Sequence, residues 1–176
     1  MADEKKEPWL NLLALTTVIL AVCATLATSK GGGYSTKTVL NQAMASDQWA
    51  YFQAKGIKGN LYELEATRLR REIELAPKAS VPLLEKSLAD VEKKVAKYDG
   101  EKAEIQKKAT GFEEAKLDAQ KHGAPFGLAV IFLQISILLS SIAALLKKPP
   151  VYWAGLAVGI VGLVYFLDGF FLFFKV

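Results

Sequence analysis

Three apolar runs without a charged side chain constrain this chain more than any other feature. They are Pro8–Ser29, Gly123–Leu146 and Pro149–Leu167, and the third continues past one acid, Asp168, to Phe174. About 20 apolar residues in an α-helix are enough to cross the hydrocarbon core of a bilayer. The sequence therefore predicts an all-α membrane protein with three transmembrane helices and the lipid bilayer as its first partner.

The segment between the first and second runs is highly charged. From Lys30 to His122 it carries 17 Lys and Arg against 14 Asp and Glu. Charges of both signs over such a length are typical of a solvated helical surface. Because no block of Lys and Arg suited to a phosphate backbone is present, we expect no nucleic-acid partner.

Apolar repeats predict that this charged segment forms two long helices. In the second helix, positions on one face alternate spacings of four and three, with two lysines among them. These positions are Leu84, Leu88, Val91, Val95, Tyr98, Lys102, Ile105, Ala109, Phe112, Lys116 and Ala119. A shorter repeat in the first helix comprises Leu40, Ala43, Ala50, Ala54, Ile57, Leu61 and Leu64. We expect both repeats to meet in a long antiparallel coiled-coil hairpin, inserted between the first and second spans.

Breaks between these segments are predicted from glycine and proline. Gly31–Gly33 and the run His122-Gly123-Ala124-Pro125 are weak helix formers, and we expect a hinge at each. The resulting segments are a short polar amino terminus (1–8), transmembrane helix 1 (9–28), a glycine hinge (29–35), stalk helix A (36–76), a turn (77–81), stalk helix B (82–121), a second hinge (122–125), transmembrane helix 2 (126–146), a short loop (147–150) and transmembrane helix 3 (151–174).

Lysines in the short segments favour one orientation in the membrane. Lys5 and Lys6 lie in the amino terminus, and Lys147 and Lys148 lie in the loop on the same side. Positive residues in short loops mark the cytoplasmic side. We therefore expect a cytoplasmic amino terminus, with the stalk and the carboxyl terminus outside. Lysines that flank the spans on the stalk side argue for the opposite orientation.

Asp168 is the only acid within the three spans, and its depth resembles that of Gln134 in the second span. An acid in a span is costly unless it finds a partner or water, so it is a candidate functional residue. One hypothesis is a structural contact that ties the spans together, with Gln134 as a candidate partner. The alternative is proton or ion handling in an assembled pore.

Gly155, Gly159 and Gly162 place small residues along one side of the third span. Such spacing lets helices approach closely in lipid. The partner is predicted to be either another span of the same chain or a second subunit.

The aromatic cluster Trp49, Tyr51 and Phe52 lies in the first stalk helix. We expect it to pack within the stalk, and the alternative is a docking patch for a partner protein.

The sequence offers no catalytic residues, cofactor site or metal site. Cys23 and His122 are each the only residue of their type, so neither a disulfide nor a His and Cys metal site is expected. No serine has an evident histidine base, and we predict that the protein is not an enzyme.

Residues 45–58, which read ASDQWAYFQAKGIK, resemble the signature of a bacterial membrane family catalogued as a domain of unknown function. The segment Glu7-Pro8-Trp9-Leu10 and the three-span layout are similar as well. The resemblance implies a bacterial inner-membrane location, and it brings no activity, ligand or catalytic residue.

Three functions are consistent with these features. The first is a structural scaffold, in which copies form a homo-oligomer with an extramembrane coiled-coil stalk. The second is an accessory subunit bound to other membrane proteins. The third is a channel subunit that conducts ions or protons through Asp168.

Overall fold

The computed structural model describes residues 8–174, and this part of the chain is helical without a β-strand. It comprises α1 (Pro8–Leu75), α2 (Val81–Leu146) and α3 (Pro149–Phe171). Each helix contains a stretch long and apolar enough to cross a membrane. The prediction of an all-helical chain with three such helices is therefore confirmed. Residues 1–7, with Lys5 and Lys6, and residues 175–176 lie outside the described part.

The helix break predicted at residues 29–35 is wrong, because α1 continues through it as one helix. Each glycine in a helix interior costs about 1 kcal/mol relative to alanine. Packing on both sides of the glycines offsets this cost. Ala27 is fully buried, and Tyr34 stacks on both His122 and Phe126.

The break predicted at residues 122–125 is also wrong, since α2 contains Pro125 in its interior. Proline lacks a backbone N–H and leaves the carbonyl of residue i−4 without its usual bond. Here neighbouring helices hold the segment in place. Pro125 and Phe126 are buried, and a Cβ on Gly123 would lie 3.3 Å from Cβ of Tyr34.

The two short connections lie close to their predicted positions. The α1–α2 turn ends before Val81, which starts α2, and the Ser80 hydroxyl donates to the carbonyl of Pro77 at 3.1 Å. α2 ends at Leu146 as predicted, and Lys147 then adopts a left-handed φ of 50°. α3 begins earlier than predicted because prolines fit the first positions of a helix, where no N–H is needed.

The described chain divides into two compact units. The first unit combines the chain up to Val39 with the chain from Lys116 onward, and the second comprises Leu40–Ala115. In the first unit Phe126 and Leu133 are fully buried. Near the start of α3, Tyr152 is buried as well, and its hydroxyl lies 3.3 Å from that of Thr16.

In the second unit, the repeat predicted for α2 is the less exposed side of the helix. Ile105 and Ala109 are buried, and its other members in this unit are partly buried.

The repeat predicted for α1 is not the packed side, and that expectation was wrong. Its large members Leu40, Ile57, Leu61 and Leu64 are exposed. The packed side instead carries small residues that allow close approach, with a few larger ones between them. Its buried members are Ala45, Gly59, Ala66 and Leu69.

Candidate functional site at the end of the third helix

Asp168 lies near the end of α3 and is 2% exposed. Its carboxylate Oδ1 accepts a hydrogen bond from the backbone N–H of Phe174 at 2.8 Å. Its backbone carbonyl accepts from the N–H of Leu172 at 2.7 Å, and Leu172 has left-handed dihedral angles. The carbonyl of Asp168 thus makes the last i→i−4 bond of α3, and its carboxylate gives a partner to the N–H of Phe174, which lies beyond the helix.

Gln134 does not share this site. Its side chain is exposed on α2, and within residues 8–174 it forms no hydrogen bond with Asp168. The similar depth of the two residues along their spans does not fix which way each one faces, because a helix turns by about 100° per residue. The carboxylate oxygen of Asp168 therefore bonds within its own helix end rather than to a second span.

The contact that ties α2 to α3 at this level comes from His122. Its Nδ1 lies 2.9 Å from the carbonyl oxygen of Gly169, and a carbonyl only accepts, so Nδ1 carries the proton. The ring of Tyr34 stacks on His122 with centroids 5.1 Å apart. His122 was predicted to be a boundary residue at a helix end, whereas it lies inside α2 and links all three helices.

Phe126 fills the centre of this level. It is fully buried, and its ring packs edge-on against Phe166 and Phe170 at centroid distances of 6.1 and 5.0 Å. A Cβ on Gly169 would lie 2.8 Å from this ring, so only glycine fits there. Aromatic pairs in these geometries add roughly 0.5–1.5 kcal/mol beyond the area they bury.

Asp168 also borders a cavity of about 540 Å³ on the side of α2 and α3. Its walls are mostly apolar, and Lys121 and Gln120 provide polar groups at one end. Such a cavity can accommodate apolar chains.

The three predicted glycines of α3 all face other helices of the same chain. A Cβ on Gly155 would lie 2.9 Å from Cβ of Leu139, and one on Gly162 would lie 2.9 Å from Cγ of Leu133. A Cβ on Gly159 would lie 2.7 Å from Oγ of Ser136. Of the two partners left open by the sequence, these glycines contact spans of their own chain.

Several hydroxyl groups in the spans donate hydrogen bonds to backbone carbonyls. Ser136 is fully buried and donates to the carbonyl of Gly155 at 2.6 Å, which links α2 to α3. Thr17 and Thr25 of α1 donate to carbonyls four residues earlier. Each of these hydroxyls therefore has a structural role.

In the second unit, two members of the aromatic cluster are partly buried and one is exposed. Trp49 donates from Nε1 to the Glu113 carboxylate at 2.9 Å and lies edge-on to Phe52. Tyr51 is 50% exposed.

Lys55 and Glu101 form the closest ion pair of this unit, with an N–O distance of 2.6 Å. The hydrogen bond to Glu101 raises the pKa of Lys55 above its ordinary value. The hydrogen bond from Lys55 lowers the pKa of Glu101. The Lys55 ammonium also lies over the rings of Tyr51 and Tyr98.

No group of three or more His, Cys, Asp or Glu side chains that could hold a metal ion occurs within the described residues. The site around Asp168 and His122 consists of one carboxylate, one imidazole, aromatic rings and backbone groups. Its chemistry is hydrogen bonding that closes a helix end and joins α2 to α3.

Sequence reasoning missed three residues of this site: Tyr34, Phe126 and Gly169. Gly169 lies seven residues after Gly162, so it continues the predicted glycine side, and that spacing could have identified it. Tyr34 follows a glycine triplet that was interpreted as a break, which separated it from the span.

The fold and site define a class of protein: an all-helical chain with three helices able to span a membrane, joined by buried glycines and hydrogen bonds. Residues 9–172 match the model of the family described as Domain of unknown function (DUF4337). The chain belongs to this family. Comparisons with curated proteins and with solved structures gave no match.

Proposed function

We propose that the protein is a non-enzymatic structural protein of a membrane, in which copies of the chain form a homo-oligomer with a coiled-coil stalk outside the bilayer. The observation that carries this proposal is the pairing within Leu40–Ala115. Among the contacts that join α1 to α2 there, four pairs show that the α2 number falls as the α1 number rises. The pairs are Trp49 with Glu113, Lys55 with Glu101, Tyr62 with Tyr98, and Arg70 with Glu92.

This order of contacts supports an antiparallel hairpin of two helices. The pairs differ in chemistry, since they include an indole hydrogen bond, ion pairs and a ring stack. Exposed ion pairs such as Arg70 with Glu92 add little stability. The apolar repeat of α2 supplies the larger contribution, because burial of apolar surface dominates helix pairing in water.

The surface of the first unit supports its place in a bilayer. Large apolar side chains on all three helices are exposed there, including Leu15 and Val18 of α1, Leu138 of α2 and Ile160 of α3. Lipid tails would cover such side chains. The lysines of the short segments favour a cytoplasmic amino terminus, with the stalk in the periplasm of a bacterial inner membrane.

Two other functions receive less support. A channel that uses Asp168 would need this carboxylate to face a polar path, whereas its Oδ1 accepts the N–H of Phe174 and the cavity that it borders has mostly apolar walls. An accessory subunit would need a docking site for another protein. Exposed Tyr51 is the one member of the aromatic cluster that supports this role.

The oligomeric state tests the proposal. The full chain, purified in a mild detergent, is expected to have a protein mass by light scattering that is a multiple of 19.2 kDa. A monomer would refute the assembly. Co-purification of another chain in equal amount from native membranes would favour the accessory subunit.

A further inference from the structure

Between Leu40 and Leu64, α1 has two apolar sides, and one of them has no partner in this chain. The first side is buried at Ala45 and Gly59. The second is exposed along its full length, and Leu40, Ile57, Leu61 and Leu64 are 53–68% exposed. Aliphatic side chains of this size rarely lie together on a water-facing surface without a function.

The partner helix has no such surface. Between residues 84 and 115, which are all described, α2 exposes none of its large apolar side chains. Leu83, at the start of α2, is 71% exposed. The excess of exposed apolar side chains is therefore confined to one helix of the pair.

The exposed side of α1 also has the spacing of a coiled coil. Its positions alternate steps of three and four residues, which keeps them on one face at 3.5 residues per turn. The positions are Leu40, Ala43, Asp47, Ala50, Ala54, Ile57, Leu61 and Leu64, and we call them the outer face of α1. This spacing favours packing of the outer face against another helix. Since α2 occupies the opposite side, that other helix comes from a different chain.

Residues beside the outer face allow a second copy of the same chain to pack in parallel. In a parallel coiled coil, the residue just before every second position of the repeat faces the residue five positions later in the partner helix. In this repeat those second positions are Leu40, Asp47, Ala54 and Leu61. Gln53 then faces Lys58, and Asn60 faces Glu65. No like charges meet at these positions. Met44 and Tyr51 lie on the same flank as Lys58 and extend the apolar surface.

We propose that the outer face of α1 is the surface through which copies of the chain associate in parallel. The inference rests on the proposed homo-oligomer and names its interface. In every copy the chain reaches Leu40 from the same membrane face, so neighbouring copies present this segment in the same direction. Asp47 is the one charged position within the face. In a parallel pair its two carboxylates lie opposite each other, and this layer costs stability.

Cysteine cross-linking in membranes tests the proposal. In a Cys23→Ala background, Leu61→Cys is expected to form a disulfide-linked dimer under mild oxidation, because equivalent positions of a parallel coil lie opposite each other. Lys107→Cys, on the exposed side of α2, is the matched control and is expected to stay monomeric on a non-reducing gel. Equal cross-linking of both variants would overturn the assignment of the interface to α1.

A charge variant gives the second measurement. The double variant Ile57→Lys and Leu61→Lys is expected to lower the mass of the assembly to that of the monomer. Both side chains are already exposed in the single chain, so its helical content is expected to remain. Leu83→Lys adds a charge at another exposed leucine and is expected to leave the oligomer intact. If the wild-type chain is an oligomer and the double variant keeps that mass, the inferred interface is wrong while the proposed function stands. A monomeric wild-type chain would overturn both.

Discussion

Asp168 and Glu101 are both carboxylates, yet their closest partners make different demands on charge. Asp168 accepts from a neutral backbone N–H, which an amide oxygen serves equally well. Glu101 pairs with the Lys55 ammonium, and an amide there would remove the ionic attraction. Replacement of each carboxylate by its amide separates the two roles.

For Asp168, the asparagine variant is expected to unfold thermally close to the wild type in detergent. Asp168→Ala is expected to lose about 1 kcal/mol, because the N–H of Phe174 then lacks its acceptor. Unfolding curves followed by circular dichroism measure the difference. Equal loss in both variants would mean that the charge itself is required at this position.

For Glu101, the effect is expected to depend on pH. Its pKa is lowered from an ordinary value of 4.5, so the ion pair stabilises the fold above that value and is lost as the pH falls through the lowered pKa. Because the pKa of Lys55 is raised from 10.5, the ion pair is lost on the alkaline side only when the pH rises above 10.5. Glu101→Gln is therefore expected to melt below the wild type at pH 7, and the two are expected to converge in strong acid.

The exposed carboxylate of Glu104 provides the control for this measurement. Glu104→Gln is expected to follow the wild type at every pH. A melting difference for Glu101→Gln that persists unchanged into strong acid would contradict the assigned ion pair.

At the scale of the helices, α3 is held by its glycine side rather than by large apolar residues. A Cβ on Gly159 would overlap Oγ of Ser136 at 2.7 Å and would lie in tight contact with Leu20 at 3.2 Å. In contrast, Gly127 of α2 has open space where its Cβ would lie. The two glycines thus form a matched pair within the spans.

Gly159→Ala is expected to destabilise the protein by about 1–3 kcal/mol, which is the usual cost of overpacking. Gly127→Ala is expected to be neutral or slightly stabilising, since alanine favours a helix more than glycine does. Thermal unfolding of both variants in one detergent measures the difference. A loss of similar size at Gly127 would indicate that backbone preference, and not the contact with Ser136, explains the effect.

The three apolar stretches able to cross a membrane were predictable, because hydropathy over about 20 residues reports burial in a bilayer directly. The turn between α1 and α2 at residues 77–81 and the end of α2 at Leu146 were also predictable, because proline and lysine interrupt the apolar pattern there. The continuity of α1 through Gly31–Gly33 and of α2 through Pro125 was not predictable, because packing that the sequence does not display outweighs the local preference for a break. Tyr34, for example, is held by His122 and Phe126, which lie far away along the chain.

The choice of the packed side of α1 had a different cause of error. Two apolar repeats run along this helix, and the one with larger residues was taken as the contact with α2. Gly59 and Ala66 in fact form that contact side, because small residues admit the rings of Tyr62 and Tyr98 between the helices. For the site, Asp168 was found from its charge alone, whereas its partner Phe174 follows from backbone geometry after the helix end.

At the scale of the whole molecule, the lysine pattern makes a testable statement about sidedness. In a Cys23→Ala background, Lys78→Cys in the α1–α2 turn is expected to react with an impermeant maleimide in intact spheroplasts. Lys148→Cys in the α2–α3 connection is expected to react only after lysis. The reverse pattern would contradict the orientation, and equal labelling would contradict a membrane-spanning α2.

The short connection between α2 and α3 has a consequence for synthesis on the ribosome. Gly155 meets Leu139, Gly162 meets Leu133, and Gly169 meets Phe126. Each contact lies farther along the chain from Lys147 than the one before. The pairing of α2 with α3 can therefore start at their connection and extend away from it. Each further contact then costs only a small loop-closure entropy. The first span emerges earliest, and its partners Leu133 of α2 and Tyr152 of α3 are translated later.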